Sequence, residues 1–263
     1  MPSRNRLDSE LVRRGLVRSR IEAARAIDQG QVMVKGMPAS KPAALVGPGE
    51  TITMSGTASR FVSRGGEKLE SALERLEVTV HGRKWLDAGA STGGFTDCLL
   101  QRGAEAVAAV DVGYGQLDWR LRNDPRVTTL ERTNVRYLAP GLLPWPPDGV
   151  VADLAFISLS LVLAGLVAVA QPEAHYVVLV KPQFELDRAS ISRGGVVRDP
   201  AAWLRAMQKV AAAAEEAGVG VVDALASPLL GPAGNHEFFL HLHAPAGGGN
   251  AAALERAVAE ATS

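Results

Sequence analysis

From residue 82 to residue 243 the chain alternates short apolar runs with stretches of helical spacing, the pattern of strands buried on both faces and separated by covering helices. The segment RKWLDAGASTGGFTDCLLQRG reads as a strand ending at Asp87, a Gly-rich turn, and a helix over residues 95–102 closed by Gly103. Further strands are expected to end at Asp111 (AVAAVDVG), near Thr133 and Asn134 (VTTLERTNV), at Asp153 (DGVVADLAF) and at Lys181 (YVVLVKPQFE). Asp199 and Pro200 supply the cap and first residue of a helix over DPAAWLRAMQKVAAAAEEAG. Two last strands lie in GVVDALASPLLGPAGNHEFFLHLHA, with Glu237 at the start of the second. This order predicts an α/β fold with a doubly wound, mostly parallel sheet and an antiparallel last strand.

The first 54 residues are patterned differently. Leu7, Leu11, Val12 and Leu16 share one helical face, and Ile21, Ala24 and Ile27 share another in the next helix. Ser19 is the expected N-cap of that second helix, Glu22 its capping-box partner and Gly30 its stop. Two short strands follow, QVMVKG and ETITM, giving a small α+β domain over residues 1–58. SGTASRFVSRGGEKLE is rich in Gly and Ser but carries Phe61 and Val62, so residues 59–66 are read as a short, partly docked linker. The larger domain is assigned to residues 67–246, and residues 247–263 to a tail with a loosely held helix.

Composition narrows the setting. Apolar residues make up 47% of the chain, enough for one full core beside a small domain. The single cysteine, Cys98, cannot form an internal disulfide, and no apolar signal-peptide core follows MPSRNRLDSE, so a cytoplasmic, reducing compartment is expected. Residues 154–170, LAFISLSLVLAGLVAVA, hold no charge over 17 positions. No basic flank accompanies them, and Ser158, Ser160 and Gly165 interrupt them, so a strand end and a core helix are expected rather than stable membrane insertion.

Net charge is zero but unevenly placed: residues 1–60 carry ten Lys/Arg against five Asp/Glu, and the rest carry 18 against 23. A basic module of this kind suits a polyanion. Eight of those ten cations are arginine, whose planar fork pairs bidentately with phosphate. Arg4, Arg6, Arg14, Arg18, Arg20, Arg25, Lys35 and Lys41 are the candidate RNA-binding residues, reading backbone and shape because no aromatic base-stacking pattern accompanies them.

In an open α/β sheet, functional groups gather at the carboxyl ends of the parallel strands, where Asp87, Asp111, Asp153 and Lys181 are all expected. An antiparallel last strand would bring Glu237 to the same edge. Asp111 lies 22 residues beyond Gly89, the position of an acid that holds ribose hydroxyls in nucleoside sites. Glycines at 89, 93 and 94 fail the dinucleotide spacing. The strand-end Asp87 followed by AGASTGG resembles instead the first motif of S-adenosylmethionine-dependent methyltransferases. Candidate cofactor-binding residues are therefore Asp87, Gly89, Ser91, Gly93, Gly94, Phe95, Asp111, Asn134 and Asp153, with S-adenosyl-L-methionine as the cofactor. A charged amine closing a buried strand is costly without partners, and the carboxylates of Asp153 and Glu237 would make Lys181 tolerable there.

Two resemblances follow from these residues. SRIEAARAIDQGQVMVKG is similar to the centre of the alpha-L RNA-binding fold of a small-subunit ribosomal protein. SRGGEKLESAL, DAGASTGGFTDCLLQRG, DLAFISL, KPQFE, RGGVVRD and GPAGNHEFFLHL, in that order, resemble the TlyA (hemolysin A) family of rRNA 2'-O-methyltransferases, whose catalytic domain is FtsJ-like. The resemblance implies a Rossmann-like class I methyltransferase sheet and a catalytic Lys-Asp-Lys-Glu tetrad at Lys68, Asp153, Lys181 and Glu237. Thr92 stands where the wider class often has Pro.

It further implies methylation of cytidine ribose in 16S and, given the extended MPSRNR start, 23S ribosomal RNA, with ribosomal subunits as partners and an effect on sensitivity to capreomycin-type antibiotics. Lys181 would serve as base or hydroxyl-orienting group, Asp153 and Glu237 would position it, and Lys68 would orient the ribose or its phosphate. Two other readings stay open: a membrane-active hemolysin, and an RNA-binding protein with an inactive methyltransferase-like domain. His241 and His243 share a strand face, but no further ligand is spaced to complete a metal site, so no metal is expected.

Overall fold

The computed structural model describes residues 4–17, 19–28, 30–39, 41–54, 60–188, 191–192, 194–245 and 250–262. The chain divides into two compact units, residues 1–59 and 60–263.

The first unit runs β1 (Asn5–Arg6), α1 (Leu7–Arg13), α2 (Arg20–Asp28), β2 (Val32–Val34), β3 (Met37–Pro38), β4 (Leu45–Val46) and β5 (Ile52–Met54). Antiparallel β1 and β4 form one ribbon, and β2 lies between β3 and β5 in another small sheet. Ser19 Oγ accepts the Glu22 N–H at 3.1 Å, capping α2. Helix faces differ from the expectation. Leu7 and Leu11 are buried, but α1 stops at Arg13 and leaves Leu16 exposed. In α2 the buried positions are Ala23, Ala26 and Ile27, while Ile21 is exposed. An alanine-rich helix of nine residues carries too little apolar contrast to fix its own rotation, so packing against α1 decides it.

The second unit begins with α3 (Arg64–Arg75), followed by β6 (Lys84–Ala88), α4 (Gly94–Gln101), β7 (Ala106–Val110), α5 (Trp119–Arg122), β8 (Val127–Leu130) and β9 (Gly149–Ala152). Then come α6 (Leu163–Val169), β10 (His175–Val180), α7 (Pro182–Glu185), α8 (Pro200–Glu216), β11 (Gly220–Ala226), β12 (Phe238–His243) and α9 (Ala251–Thr262). One seven-stranded sheet has the order β11-β12-β10-β9-β6-β7-β8. Strands β10, β9, β6, β7 and β8 are parallel, and β12 runs antiparallel between β10 and β11.

Both faces of the sheet are covered, which is why its strands read as continuous apolar runs. Along β10, Tyr176, Val178 and Val180 pack into one core with α6 and α8, and Val177 and Leu179 into the other with α3 and α4. Cys98 lies in that second core, where burial pushes its thiol up.

Three expectations are corrected. Residues 60–66 belong to the second unit: Phe61 is buried in its core, and Gly65 and Gly66 start α3. Gly66 is there for close packing, since a Cβ would lie 2.3 Å from the Phe61 ring. The tail is not loosely held; α9 buries Ala253, Leu254 and Ala257 in the main core. Strand β8 ends at Leu130, short of Thr133 and Asn134. The uncharged stretch 154–170 becomes a loop, a 3-10 turn (Leu159–Leu161) and α6, and among the described residues no helix is long and apolar enough to cross a membrane.

Candidate active site

The turn after β6 packs its backbone against the end of β9. Gly89 has φ +89°, and a Cβ there would lie 2.6 Å from the main-chain oxygen of Asp153. Gly93, at φ +98°, precedes α4 and leaves no room for a Cβ beside Leu121. Both positions have the left-handed backbone that favours glycine, and at Gly89 the neighbouring strand end also leaves no room for a side chain.

Asp87 is fully buried beneath this turn. Its Oδ2 accepts the Thr96 hydroxyl at 2.6 Å, and its Oδ1 is buried with no hydrogen-bond partner. Burial, the largest influence, pushes its carboxyl up to about 7, with the Thr96 hydroxyl opposing and the Asp153 charge adding. Asp111 stands at the end of β7, where Oδ2 accepts Ser91 N–H at 2.8 Å and Oδ1 accepts Gly113 N–H at 2.6 Å. Each oxygen keeps a lone pair for a hydroxyl donor. Ala90, Ser91, Asp111, Gln116 and Glu131 line a small hollow here. A group that brings a buried donor to Asp87 Oδ1 and hydroxyls to Asp111 fits this cradle.

The other expected cofactor residues divide. Gly94 opens α4. Phe95 puts its ring into the core, its centroid 6.3 Å from that of Phe239. Asn134 Oδ1 accepts Arg136 N–H at 2.9 Å and caps the 3-10 turn Val135–Tyr137 beyond β8.

The tetrad forms two ion pairs at one sheet edge. Lys181 Nζ, at the end of β10, is 2.5 Å from Asp153 Oδ1, at the end of β9, although that oxygen meets no hydrogen-bond geometry. Lys68 Nζ, from α3, donates to Glu237 Oε2 at 2.5 Å, and both are buried. Val180 pairs with Phe238, so Lys181 and Glu237 occupy adjoining ends of neighbouring strands. The antiparallel direction of β12 is what brings Glu237, the residue just before it, to this edge.

Two features escaped the sequence reading. Phe156, three residues after Asp153, has φ +66° and is 91% exposed, its ring centroid 5.3 Å from that of Phe184. Gln183 Oε1, two residues after Lys181, is buried without a hydrogen-bond partner. An aromatic in the loop directly after the strand-end carboxylate Asp153 was the available signal for Phe156; nothing in the sequence marks Gln183.

Within the first unit, most candidate cations are paired. Arg6 and Arg20 bond Asp8 at 2.8 and 3.0 Å, and Arg4 and Lys35 bond Glu50 at 3.0 and 3.1 Å. Arg6 holds the Asp8 carboxyl well below the usual range, and Arg13, followed by Arg14, does the same to Glu10. Arg14 also donates to the carbonyls of Glu50 and Pro48, which makes it a builder of the unit. Arg4, Arg6 and Arg20 keep half-exposed side chains while paired. Arg25 is half-buried, Lys41 is exposed, and Arg18 lies outside the described residues.

His241 and His175 meet at the opposite end of β10, with 3.0 Å between ring nitrogens, and among the described residues no cluster of three or more His, Cys, Asp or Glu could hold a metal ion.

Residues 61–244 match the FtsJ-like methyltransferase family, and residues 5–52 the S4 domain. The chain is 54% identical to the 16S/23S rRNA (cytidine-2'-O)-methyltransferase TlyA of Mycobacterium tuberculosis, over 92% of this chain and 91% of that protein. It is 35% identical to Hemolysin A of Brachyspira hyodysenteriae, over 90% of this chain and 98% of that protein. A solved structure from Streptococcus thermophilus, which carries a hemolysin name, is similar with a TM-score of 0.79 and 37% identity, covering 100% of this chain and 97% of that one. An FtsJ-like domain preceded by an S4 domain, and similarity of this extent across nearly the whole length, place the chain in the TlyA family of FtsJ-like methyltransferases.

Proposed function

We propose that this protein transfers a methyl group from S-adenosylmethionine to the 2'-hydroxyl of a cytidine in ribosomal RNA, acting in the cytoplasm on ribosomal subunits. The observation that carries the reading is the pair of lysine–carboxylate contacts, Lys181–Asp153 and Lys68–Glu237, on the edge that also bears the Gly89 turn. The cofactor supplies an electrophilic methyl carbon on a sulfonium. Asp87 Oδ1, which lacks a donor, suits its ammonium group, and Asp111 suits its ribose hydroxyls.

On the acceptor side, Asp153, 2.5 Å from the Lys181 amine, holds that amine in place so that it orients the ribose 2'-hydroxyl, whose proton passes to water as its oxygen is methylated. Glu237 fixes Lys68 within reach of the ribose or its phosphate. Phe156 offers a ring for the nucleobase. The half-exposed arginines of the S4 domain, Arg4, Arg6 and Arg20, supply phosphate contacts that set the RNA in register.

The test is transfer of labelled methyl from S-adenosylmethionine to unmodified small and large subunits, with the modified nucleotide mapped and Lys181→Ala run alongside. The reading expects label on a 2'-oxygen and a loss on the order of 100-fold or more in the variant. Full single-turnover activity in a cofactor-binding Lys181→Ala protein would exclude this role for the lysine.

A further inference from the structure

A buried carboxylate beside the reacting edge takes no part in either lysine pair. Glu185 ends α7, the turn that starts directly after Lys181, and is 4% exposed. Its Oε1 accepts Leu159 N–H at 2.8 Å, and its Oε2 accepts the hydroxyl of Ser158, which is also buried. Ser158 Oγ accepts Ser160 N–H at 3.2 Å and so caps the 3-10 turn Leu159–Leu161. From α8, Lys209 Nζ donates to the Glu185 carbonyl at 2.6 Å.

Burying a carboxyl is costly, and these bonds direct it to one target, the far end of the loop over residues 153–158. That loop starts at Asp153, whose N–H bonds Ala88 O at 3.1 Å, and carries Phe156 in a left-handed conformation against Phe184. Glu185 thereby ties the loop after β9 to the turn after β10, and those two connections carry Asp153 and Lys181.

Resting on the methyl-transfer reading above, we propose that Glu185 is a positioning residue: it pins the 153–158 loop to the Lys181 turn and so sets how Asp153 meets Lys181 and where Phe156 stands over the cleft. The contact with RNA and cofactor is made by the residues it holds. Their geometry is sensitive, because a displacement of about 1 Å in a reacting constellation costs on the order of 100-fold in rate.

The experiment compares full-length wild type, Glu185→Ala, Glu185→Gln and Ser158→Ala in single-turnover methyl transfer to ribosomal subunits. Each rate is divided by the number of cofactor sites counted by calorimetry with S-adenosylmethionine, which removes any loss of folded protein. Glutamine keeps both ties, accepting Leu159 N–H through Oε1 and donating to Ser158 Oγ through Nε2; alanine keeps neither. Glu185→Ala is expected to bind cofactor with wild-type affinity and to lose on the order of 100-fold in rate per site. Glu185→Gln is expected to recover to within about tenfold of wild type, and Ser158→Ala to fall about tenfold.

Wild-type rate per site in Glu185→Ala, or a Glu185→Gln protein no faster than Glu185→Ala, overturns the proposal. If Glu185→Ala binds no cofactor, Ser158→Ala decides: an undiminished rate per site overturns it. A wild-type protein that binds cofactor but labels neither subunit overturns the underlying reading and this proposal with it, whereas a labelling wild type leaves only Glu185 in question.

Discussion

Lys68 and Glu237 are separated by 169 residues in the chain and by 2.5 Å in space, and neither has appreciable access to water. Removing one partner of such a pair strands a charge in the interior, at a cost of about 3–5 kcal/mol. Glu237→Ala is expected to be destabilised by that amount in urea unfolding. The double variant Lys68→Met, Glu237→Leu should regain much of the loss while remaining inactive. A double variant less stable than either single one would show that the pair is a net stabiliser.

Asp87 makes a second case, with the opposite sense. Its carboxyl is pushed up to about 7 by burial, against about 3.9 in an unfolded chain. Between those values the folded protein holds a proton that the unfolded chain has released, so the group lowers stability as pH rises from about 4 to about 7. Asp87→Asn should therefore raise the unfolding temperature of the ligand-free protein more at pH 8 than at pH 5, and weaken cofactor binding. An equal shift at both pH values would show that the buried acid is not the cause.

His241 titrates in the same window with the reverse sign. Burial, aided by His175 and His243 and opposed by Asp223, pushes its imidazole down to about 4, from about 6.5 when unfolded. The unfolded chain takes up a proton first on acidification, so stability is full above about pH 6.5 and is lost by up to roughly 3 kcal/mol as pH falls toward about 4. Urea unfolding of His241→Leu at pH 7 and pH 4.5 should show a shallower acid loss than wild type. Identical acid losses would exclude His241 as the source.

Gly89→Ala forces a side chain into a left-handed turn and against the carbonyl of Asp153, a backbone atom that cannot swing aside. Destabilisation of about 1–3 kcal/mol is expected, together with loss of cofactor binding, read by calorimetry. Wild-type affinity in this variant would mean that the cofactor lies elsewhere.

Phe156→Ala removes a ring that is already 91% exposed. Stability should stay within about 0.5 kcal/mol of wild type, and cofactor affinity should not change, while methyl transfer to RNA falls on the order of 10-fold from lost stacking. Unchanged transfer would remove the ring from the acceptor site.

The parallel strands were legible because burial on both faces leaves uninterrupted apolar runs, and the charged residue closing each run announced the reacting edge. Asp153 and Lys181 were placed at the edge this way, Glu237 by the expected reversal of the last strand, and Lys68 through family resemblance alone. Less legible were features that depend on approach in space. Gly65 and Gly66 looked like a tether, but Gly66 makes room for the Phe61 ring. The tie between Glu185 and Ser158 spans 27 residues and has no local signature. Arginines of the first unit share one appearance in sequence, whether they brace Glu10 as Arg14 does or stay half-exposed like Arg4.

The reversed strand β12 also has a consequence for how the protein is made. Strand β10 has β9 on one side and β12 on the other, and among the described residues β12 is the last strand in chain order. Until residues 238–243 leave the ribosome, β10 is an open sheet edge with unpaired main-chain groups, and Lys68 has no Glu237 to meet. Insertion of β12 between β10 and β11 therefore fills the gap in the sheet and brings Glu237 to Lys68 in one event, so a chain synthesised only as far as β11 holds the Gly89 turn but not that ion pair.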